Sequence, residues 1–218
     1  MDTKQCLVYL HCYMAIKDRK ERDKLDRRKL IIESATRLFL ELGYEKTSIR
    51  TIADDIEYSP ATIYLYFKEK DEIFYIIHEQ GFVLLNNEFA KYLHIQNPFE
   101  RLTAIGYAYL NFALDNPDYY DLMFIMRAPL QEISCLEKWD AGDSAFQVLV
   151  DTVSEGIDQK LLKEEDKFMV ALTVWSYAHG LVSLYIRERF QSMKKVDDQV
   201  LKNMLGQSMD FFLKSIQL

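Results

Sequence analysis

Hydroxyl-bearing side chains cluster near residue 60 and could form a hydrogen-bonding surface. The positions predicted to lie on or near the outer surface, after Ser59, are Pro60, Ala61, Thr62, Tyr64, Leu65 and Tyr66. Hydroxyl groups both donate and accept hydrogen bonds, which suits contact with phosphate oxygens and with the edges of bases. The cluster has this chemistry only if a helix holds the side chains on one face.

The residues of the cluster themselves predict that helix. Ser59 followed by Pro60 is typical of a helix start, because serine caps the free amides and proline has none at the first position. Ile63 and Phe67 are four residues apart and are predicted to face a small core. The helix is therefore about two turns long, with the polar cluster directed outward.

Two further helices are predicted to support it. The first, from Asp26 to Leu42, has an apolar face made of Leu30, Ile31, Ala35, Leu38, Phe39 and Leu42. Gly43 is predicted to end this helix, and Thr47 to cap a short second helix whose apolar positions are Ile49, Ile52, Ala53 and Ile56. Two short helices joined by a tight turn, the second with a polar face, indicate a helix-turn-helix.

The stretch from Ile31 to Phe74 resembles the DNA-binding domain of TetR-family (tetracycline-repressor-like) regulators. The matching positions are Ala35, Leu38, Phe39, Gly43, Thr47, Ile52, Ala53, Ser59, Thr62, Tyr64, Phe67 and Lys70. The resemblance implies a ligand-responsive transcriptional regulator that binds a palindromic operator as a homodimer. Repression with release by a small molecule is the expected mode, and activation is left open.

The resemblance also implies roles for single residues. Thr47 and Ser48 would contact phosphate, and Arg50 would reach phosphate or a base edge. Ser59, Pro60, Ala61 and Thr62 would face the groove, while Tyr64, Tyr66 and Lys70 would bind the DNA backbone. The basic arm from Lys17 to Lys29 would cross the backbone or enter the minor groove.

One departure from the family pattern lies in the turn between the two short helices. Glu57 stands where a glycine is common, so it must adopt a left-handed backbone conformation. Its negative charge would also lie close to DNA.

The charges divide the chain into two parts of opposite sign. Residues 1–70 hold 14 Lys and Arg against 12 Asp and Glu, net +2, and the other 148 residues hold 13 against 22, net −9. We predict an arm at 1–25, a helix-turn-helix domain at 26–72 and a helical ligand-binding and dimerisation domain at 73–218. Residues 1–13 are consistent with either a translated extension or a misassigned start before Met14.

Aromatic and methionine side chains in the C-terminal part predict a ligand pocket or, equally simply, a packed core. The candidate lining residues are Tyr107, Phe112, Tyr120, Met123, Phe124, Trp175 and His179. The segments from Asn116 to Phe124 and from Trp175 to Leu181 resemble a TetR-family C-terminal class named for a Trp-His-Gly signature. A hydrophobic or amphipathic small molecule is the expected ligand.

The last helix carries an apolar stripe that suits a dimer interface. Its residues are Leu201, Leu205, Phe212 and Ile216. A two-fold dimer would place two recognition helices about one turn of DNA apart.

Other classes of function find little support in the sequence. No phosphate-binding glycine loop, HExxH motif or nucleophile elbow occurs, so we expect no enzyme, catalytic residue, metal or cofactor. Three cysteines without CxxC spacing fit a reducing cytoplasm. The apolar stretch from Cys6 to Ile16 is too short to span a membrane. A helical interaction module that binds no DNA remains the main alternative.

Overall fold

The computed structural model describes residues 3–127, 140–190 and 197–218, with side chains from residue 19 onward except that of residue 140. The helices are α1 Thr3–Leu42, α2 Ile49–Asp55, α3 Pro60–Tyr64, α4 Lys70–Ala90, α5 Pro98–Asp115, α6 Pro117–Tyr120, α7 Asp140–Asp158, α8 Lys167–Ile186 and α9 Asp198–Ile216. A π-helical turn, Asp121–Ile125, follows α6. Extended backbone pairs in the described ranges only at an isolated bridge between Leu162 and Gln217. The predicted all-helical fold is confirmed.

Helix α1 is much longer than predicted, because it begins at Thr3 and not at Asp26. Its sequence has no glycine or proline, and lysine, arginine, glutamate and leucine favour helix. The arm from Lys17 to Lys29 is therefore part of this helix. The side chains of residues 1–18 lie outside those described. So do the side chains of all three cysteines. Whether residues 1–13 are a translated extension or precede the true start at Met14 stays a prediction.

Three helix boundaries were predicted in this region, at Gly43, Thr47 and Ser59, and all but that at Thr47 agree with the structure. Gly43 has a φ of +82° after α1, and Ser59 caps α3 with Pro60 in its first turn. Helix α2, however, is capped by Ser48, whose side chain accepts a hydrogen bond from the Thr51 amide. Thr47 is not the cap because its hydroxyl points inward and donates to the carbonyls of Leu38 and Gly43.

The described residues pack as two units. The first contains residues 3–77 with Met126 and Arg127, and the second contains His78–Ile125 and the described residues from 140 to Leu218. Helix α4 begins in the first unit and ends in the second.

The first unit is built on aromatic rings from α1, α4 and the loop after α1. Phe39 meets Phe74 edge to face at 5.4 Å between ring centroids, and Tyr44 meets Phe74 at 5.2 Å. The apolar residues of α2 and α3 that complete this core are Ile49, Ile52, Ala53 and Ile63. Leu30 and Leu42, which were predicted on the buried face of α1, are 40% and 42% exposed. They lie at the edges of the stripe that the core covers.

The second unit packs α5 against α7, α8 and α9. Asn97 caps α5 with its side-chain oxygen, and Asn116 follows its last residue. Helix α8 is long and apolar enough by composition to cross a membrane. It buries Ala171, Val174 and Ala178 in the protein core and exposes further apolar side chains on its other face. A helix that is apolar all round is expected where it packs on two sides.

Candidate nucleic-acid interface and ligand cavity

Helix α3 presents the polar face that the sequence predicted. Ile63 and Phe67 are buried and fix the helix on the core, whereas Tyr64 is 57% exposed. Ala61 is also exposed, and Thr62 and Tyr66 are half-buried. Leu65, for which the sequence predicted no role, is 77% exposed directly after Tyr64.

The start of α2 adds a second set of hydroxyl groups. The Ser48 and Thr51 hydroxyls lie 2.7 Å apart at the surface, beside the first amides of the helix. Arg50 is exposed next to them, and its guanidinium lies 3.9 Å from Asp54. Thr47, by contrast, is 1% exposed, so its hydroxyl is not on the surface that Ser48 and Arg50 share. Thr51 was not among the predicted contact residues, although its position three residues after Ser48 is that of a capping partner.

Lys70 is directed inward at the start of α4. Its ammonium group donates to the carbonyl of Tyr44 at 2.9 Å and lies 3.8 Å from the centroid of the Tyr44 ring. The Tyr44 hydroxyl in turn donates to Asp71. Lys70 therefore connects the loop after α1 to α4. Its ammonium group already interacts with the carbonyl and the ring of Tyr44.

A hydrogen-bonded group ties α1 to the end of α2. The carboxylate of Asp55 accepts from the Arg37 guanidinium and from the Ser34 hydroxyl. The hydrogen bond from Arg37, followed by that from Ser34, lowers the pKa of Asp55. The next turn contains Glu57, whose φ of 58° confirms the predicted left-handed conformation.

The second unit contains a cavity of about 410 Å³ that is partly open to solvent. Three of the predicted lining residues, Met123, Phe124 and Trp175, line it. Further walls are formed by aromatic and aliphatic side chains of four helices: Phe82, Leu85, Phe89, Ile105, Tyr109, Phe146, Leu149 and Val174. No periodic signal in the sequence separates these residues from ordinary core.

The other predicted pocket residues lie behind the walls or elsewhere. Tyr120 and His179 contact Phe124, with ring centroids 5.5 and 5.6 Å from its ring. Phe112 is 2% exposed in the core and does not line the cavity. Tyr107 lies instead at a polar surface groove between α5 and α9. All four were predicted as pocket residues from their aromatic character, which does not distinguish a cavity wall from packed interior.

Two tyrosine hydroxyls hold His179 beside the cavity. The hydroxyls of Tyr109 and Tyr120 each lie 3.1 Å from His179 Nδ1. Burial lowers the pKa of His179 and raises the pKa values of Tyr109 and Tyr120. All three groups are therefore uncharged near neutral pH, and they form a neutral hydrogen-bonded cluster.

The predicted dimer stripe is largely occupied within the chain. Leu201 and Leu205 are 5% and 3% exposed, and Phe212 stacks on Tyr177 with ring centroids 4.2 Å apart. Ile216 is half-buried. The large exposed apolar side chains of α8 and α9 are different ones: Phe168, Met169, Leu172, Leu184, Val200, Met204 and Phe211. Periodicity identified an apolar stripe on α9. It did not show that this stripe is buried within the chain and that other apolar side chains of α9 are exposed.

No group of three or more histidine, cysteine, aspartate or glutamate side chains among the described residues is placed to hold a metal ion.

Comparison with known proteins identifies the family. The profile described as "Bacterial regulatory proteins, tetR family" matches residues 31–75, and that described as "Tetracyclin repressor-like, C-terminal domain" matches residues 102–207. The latter description names no Trp-His-Gly class, so that detail stays a prediction.

Individual proteins agree with the profiles. The chain is 35% identical to the HTH-type transcriptional regulator HbdR of Aromatoleum sp. (strain CIB) over 85 residues, which cover 38% of this chain and 37% of HbdR. The match thus spans well under two thirds of that relative.

Two solved structures share the fold. The TetR family transcriptional regulator PfmR from Thermus thermophilus superposes with a TM-score of 0.66 at 22% identity, covering 84% of this chain and 97% of PfmR. The ketosteroid transcriptional regulator KstR2 of Mycobacterium tuberculosis has a TM-score of 0.68 at 18% identity, covering 88% and 95%. Since the two profiles together match more than half of its residues, the chain belongs to the TetR family of bacterial regulatory proteins.

Proposed function

We propose that this protein is a ligand-responsive transcriptional regulator that binds operator DNA through α2 and α3. The observation that carries the proposal is the exposed face of α3, held on a buried core by Ile63 and Phe67. A short helix anchored in this way can insert its exposed side chains into the major groove of DNA. Its first turn, from Ser59 to Thr62, would read base edges.

The hydroxyl groups at the start of α2 are proposed to bind phosphate. The Ser48 and Thr51 hydroxyls lie at the surface in the first turn of α2, where the helix dipole favours an anion. Arg50 would add a positive charge, and Tyr64 and Tyr66 would donate to the opposite strand. Thr47 does not belong to this set, because its hydroxyl is buried and donates to two carbonyls.

The active form is proposed to be a homodimer formed by α8 and α9. The exposed apolar side chains of these two helices would pack against the same residues of a second copy, giving a four-helix arrangement. Two recognition helices related by a two-fold axis would bind a palindromic operator.

The cavity of the second unit is proposed to bind a small amphipathic ligand that releases the operator. A ligand weakens DNA binding only by the free energy with which it prefers the conformation that does not bind DNA. The name of KstR2, which concerns ketosteroids, is compatible with an apolar ligand in this fold.

The test is binding of the full chain to the DNA upstream of its own gene at two salt concentrations. Tyr64→Ala and Arg50→Ala should each weaken binding roughly tenfold, and Arg50→Ala should also reduce the salt dependence. Lys91→Ala is the matched control, because it removes an exposed cation paired with Glu88 in the second unit. Equal affinities of all four proteins, or no binding even to a random-sequence pool, would favour an interaction module that binds no DNA.

A further inference from the structure

We propose that the cavity of the second unit selects an organic cation with an apolar body, such as an alkylammonium compound. The proposal rests on the proposed role of this cavity as the ligand site and specifies the charge of the ligand. It is carried by the side chains that line the cavity, which combine one carboxylate with a wall of aromatic rings.

Among the described residues that line the cavity, the charged one is Asp143. Among the residues described as lining the cavity, no lysine, arginine or histidine occurs. Asp143 is exposed and forms no salt bridge with a described cation, so its charge is available to a ligand. A cation bound in the cavity would gain a partner, whereas a carboxylate would lose its hydration and meet a like charge.

Aromatic rings line the same cavity as this carboxylate. Phe146 follows Asp143 by three residues, which places both on one face of α7. The Trp175 ring lies 6.0 Å from the Phe146 ring and 6.0 Å from the Phe124 ring. The faces of such rings attract ammonium groups, and tryptophan does so most strongly. Phe146 and Trp175 thus provide a site for the charge, while Leu85, Phe89 and Leu149 provide the apolar walls.

The neighbouring histidine does not change this preference. His179 lies behind the wall, its Nδ1 is engaged by the hydroxyls of Tyr109 and Tyr120, and partial burial lowers its pKa, so its ring is neutral near neutral pH. It therefore offers an anion no positive charge. The net charge of −9 over residues 71–218 acts in the same direction, because it favours the approach of cations.

Three probes of similar shape test the proposal: decyltrimethylammonium, 1-decanol and decanoate, each below the concentration at which it aggregates. Binding to the full chain without DNA is measured by equilibrium dialysis or calorimetry. We expect the cation to bind more tightly than the alcohol, and decanoate to bind roughly tenfold or more weakly than the cation. Equal affinities, tighter binding of decanoate, or no binding of any probe would overturn the proposal.

Two variants locate the effect. Asp143→Asn should weaken binding of the cation about fivefold and leave 1-decanol unchanged, because the amide removes the charge but keeps the shape. Phe146→Leu should reduce the preference for the cation over the alcohol about threefold. Asp151→Asn is the matched control on the same helix, since Asp151 accepts from Gln147 and does not line the cavity. A loss of cation binding in Asp151→Asn as large as in Asp143→Asn would also contradict the proposal.

These outcomes are independent of operator binding. A protein that binds its operator but shows no preference for the cation retains the proposed function and loses this inference. A protein that binds the cation and no DNA at all loses the proposed function as a regulator.

Discussion

Glu57 is the residue at which local strain and electrostatics meet. Its φ of 58° costs a residue with a side chain about 1 kcal/mol relative to glycine, and its charge lies in the turn before α3. Glu57→Gly should therefore stabilise the protein by about 1 kcal/mol in urea unfolding and tighten DNA binding. Glu57→Gln separates the two effects, because it removes the charge and keeps the strain. A stability gain in the glutamine variant equal to that in the glycine variant would exclude the strain explanation.

Thr62 and Tyr64 are predicted to act on DNA in different ways. Thr62 is half-buried in the first turn of α3, and its hydroxyl lies 3.0 Å from that of Ser59. Thr62→Val keeps the shape and removes the hydroxyl, so we expect a changed base preference in a selection from random sequences. Tyr64→Phe should weaken all operator variants by a similar factor. An unaltered preference in Thr62→Val would place the readout elsewhere on α3.

The contact between α1 and α2 depends on the charge of Asp55. Arg37 and Ser34 lower the pKa of this carboxyl, so its contribution to stability is complete above the ordinary value near 3.9 and is lost as the pH falls through the lowered value. Asp55→Asn should destabilise the protein at pH 7, and the difference from wild type should shrink as the pH falls below about 4. Urea unfolding at several pH values measures it.

Asp54 provides the control for this prediction. It is the preceding residue of α2, and its exposed carboxylate lies 3.9 Å from Arg50. Surface pairs of this kind contribute little, so Asp54→Asn should leave the stability almost unchanged. A pH-independent loss of stability in Asp55→Asn would mean that packing, and not the charge, joins the two helices.

The apolar side chains left exposed on α8 and α9 predict how the protein assembles. Phe211 is 77% exposed and Met204 52% exposed, whereas Leu201 and Leu205 are buried within the chain. Met204→Asp and Phe211→Asp should therefore yield folded monomers of 25.8 kDa in sedimentation analysis. They should also lose roughly tenfold or more in operator affinity, because the two half-sites are then bound independently.

Val83→Asp is the matched control for this experiment. Val83 is 49% exposed on α4 and is not part of the surface formed by α8 and α9. The same aspartate at this position should leave the association state unchanged. If Met204→Asp and Phe211→Asp remain dimers, the interface lies on another face.

Local sequence was sufficient to predict most of the helices, their caps and the family. Ser59 with Pro60 and Asn97 with Pro98 mark helix starts through local chemistry that no distant contact alters. The buried positions Ile63 and Phe67 followed from helical periodicity. The length of α1 was missed because the charged arm carries no apolar stripe, although its composition favours helix.

The role of each inward-facing residue, by contrast, depended on how the helices pack. Phe112 and Trp175 were both predicted to line the pocket, but of the two only Trp175 does. Likewise Leu205 and Met204 are adjacent in sequence, yet the chain covers the first and exposes the second. Thr47 and Lys70 have polar groups suited to DNA, but carbonyl groups of the protein itself receive their hydrogen bonds. Hydrophobic patterning fixes only the face that a side chain occupies, whereas its partner on that face depends on residues distant in the chain.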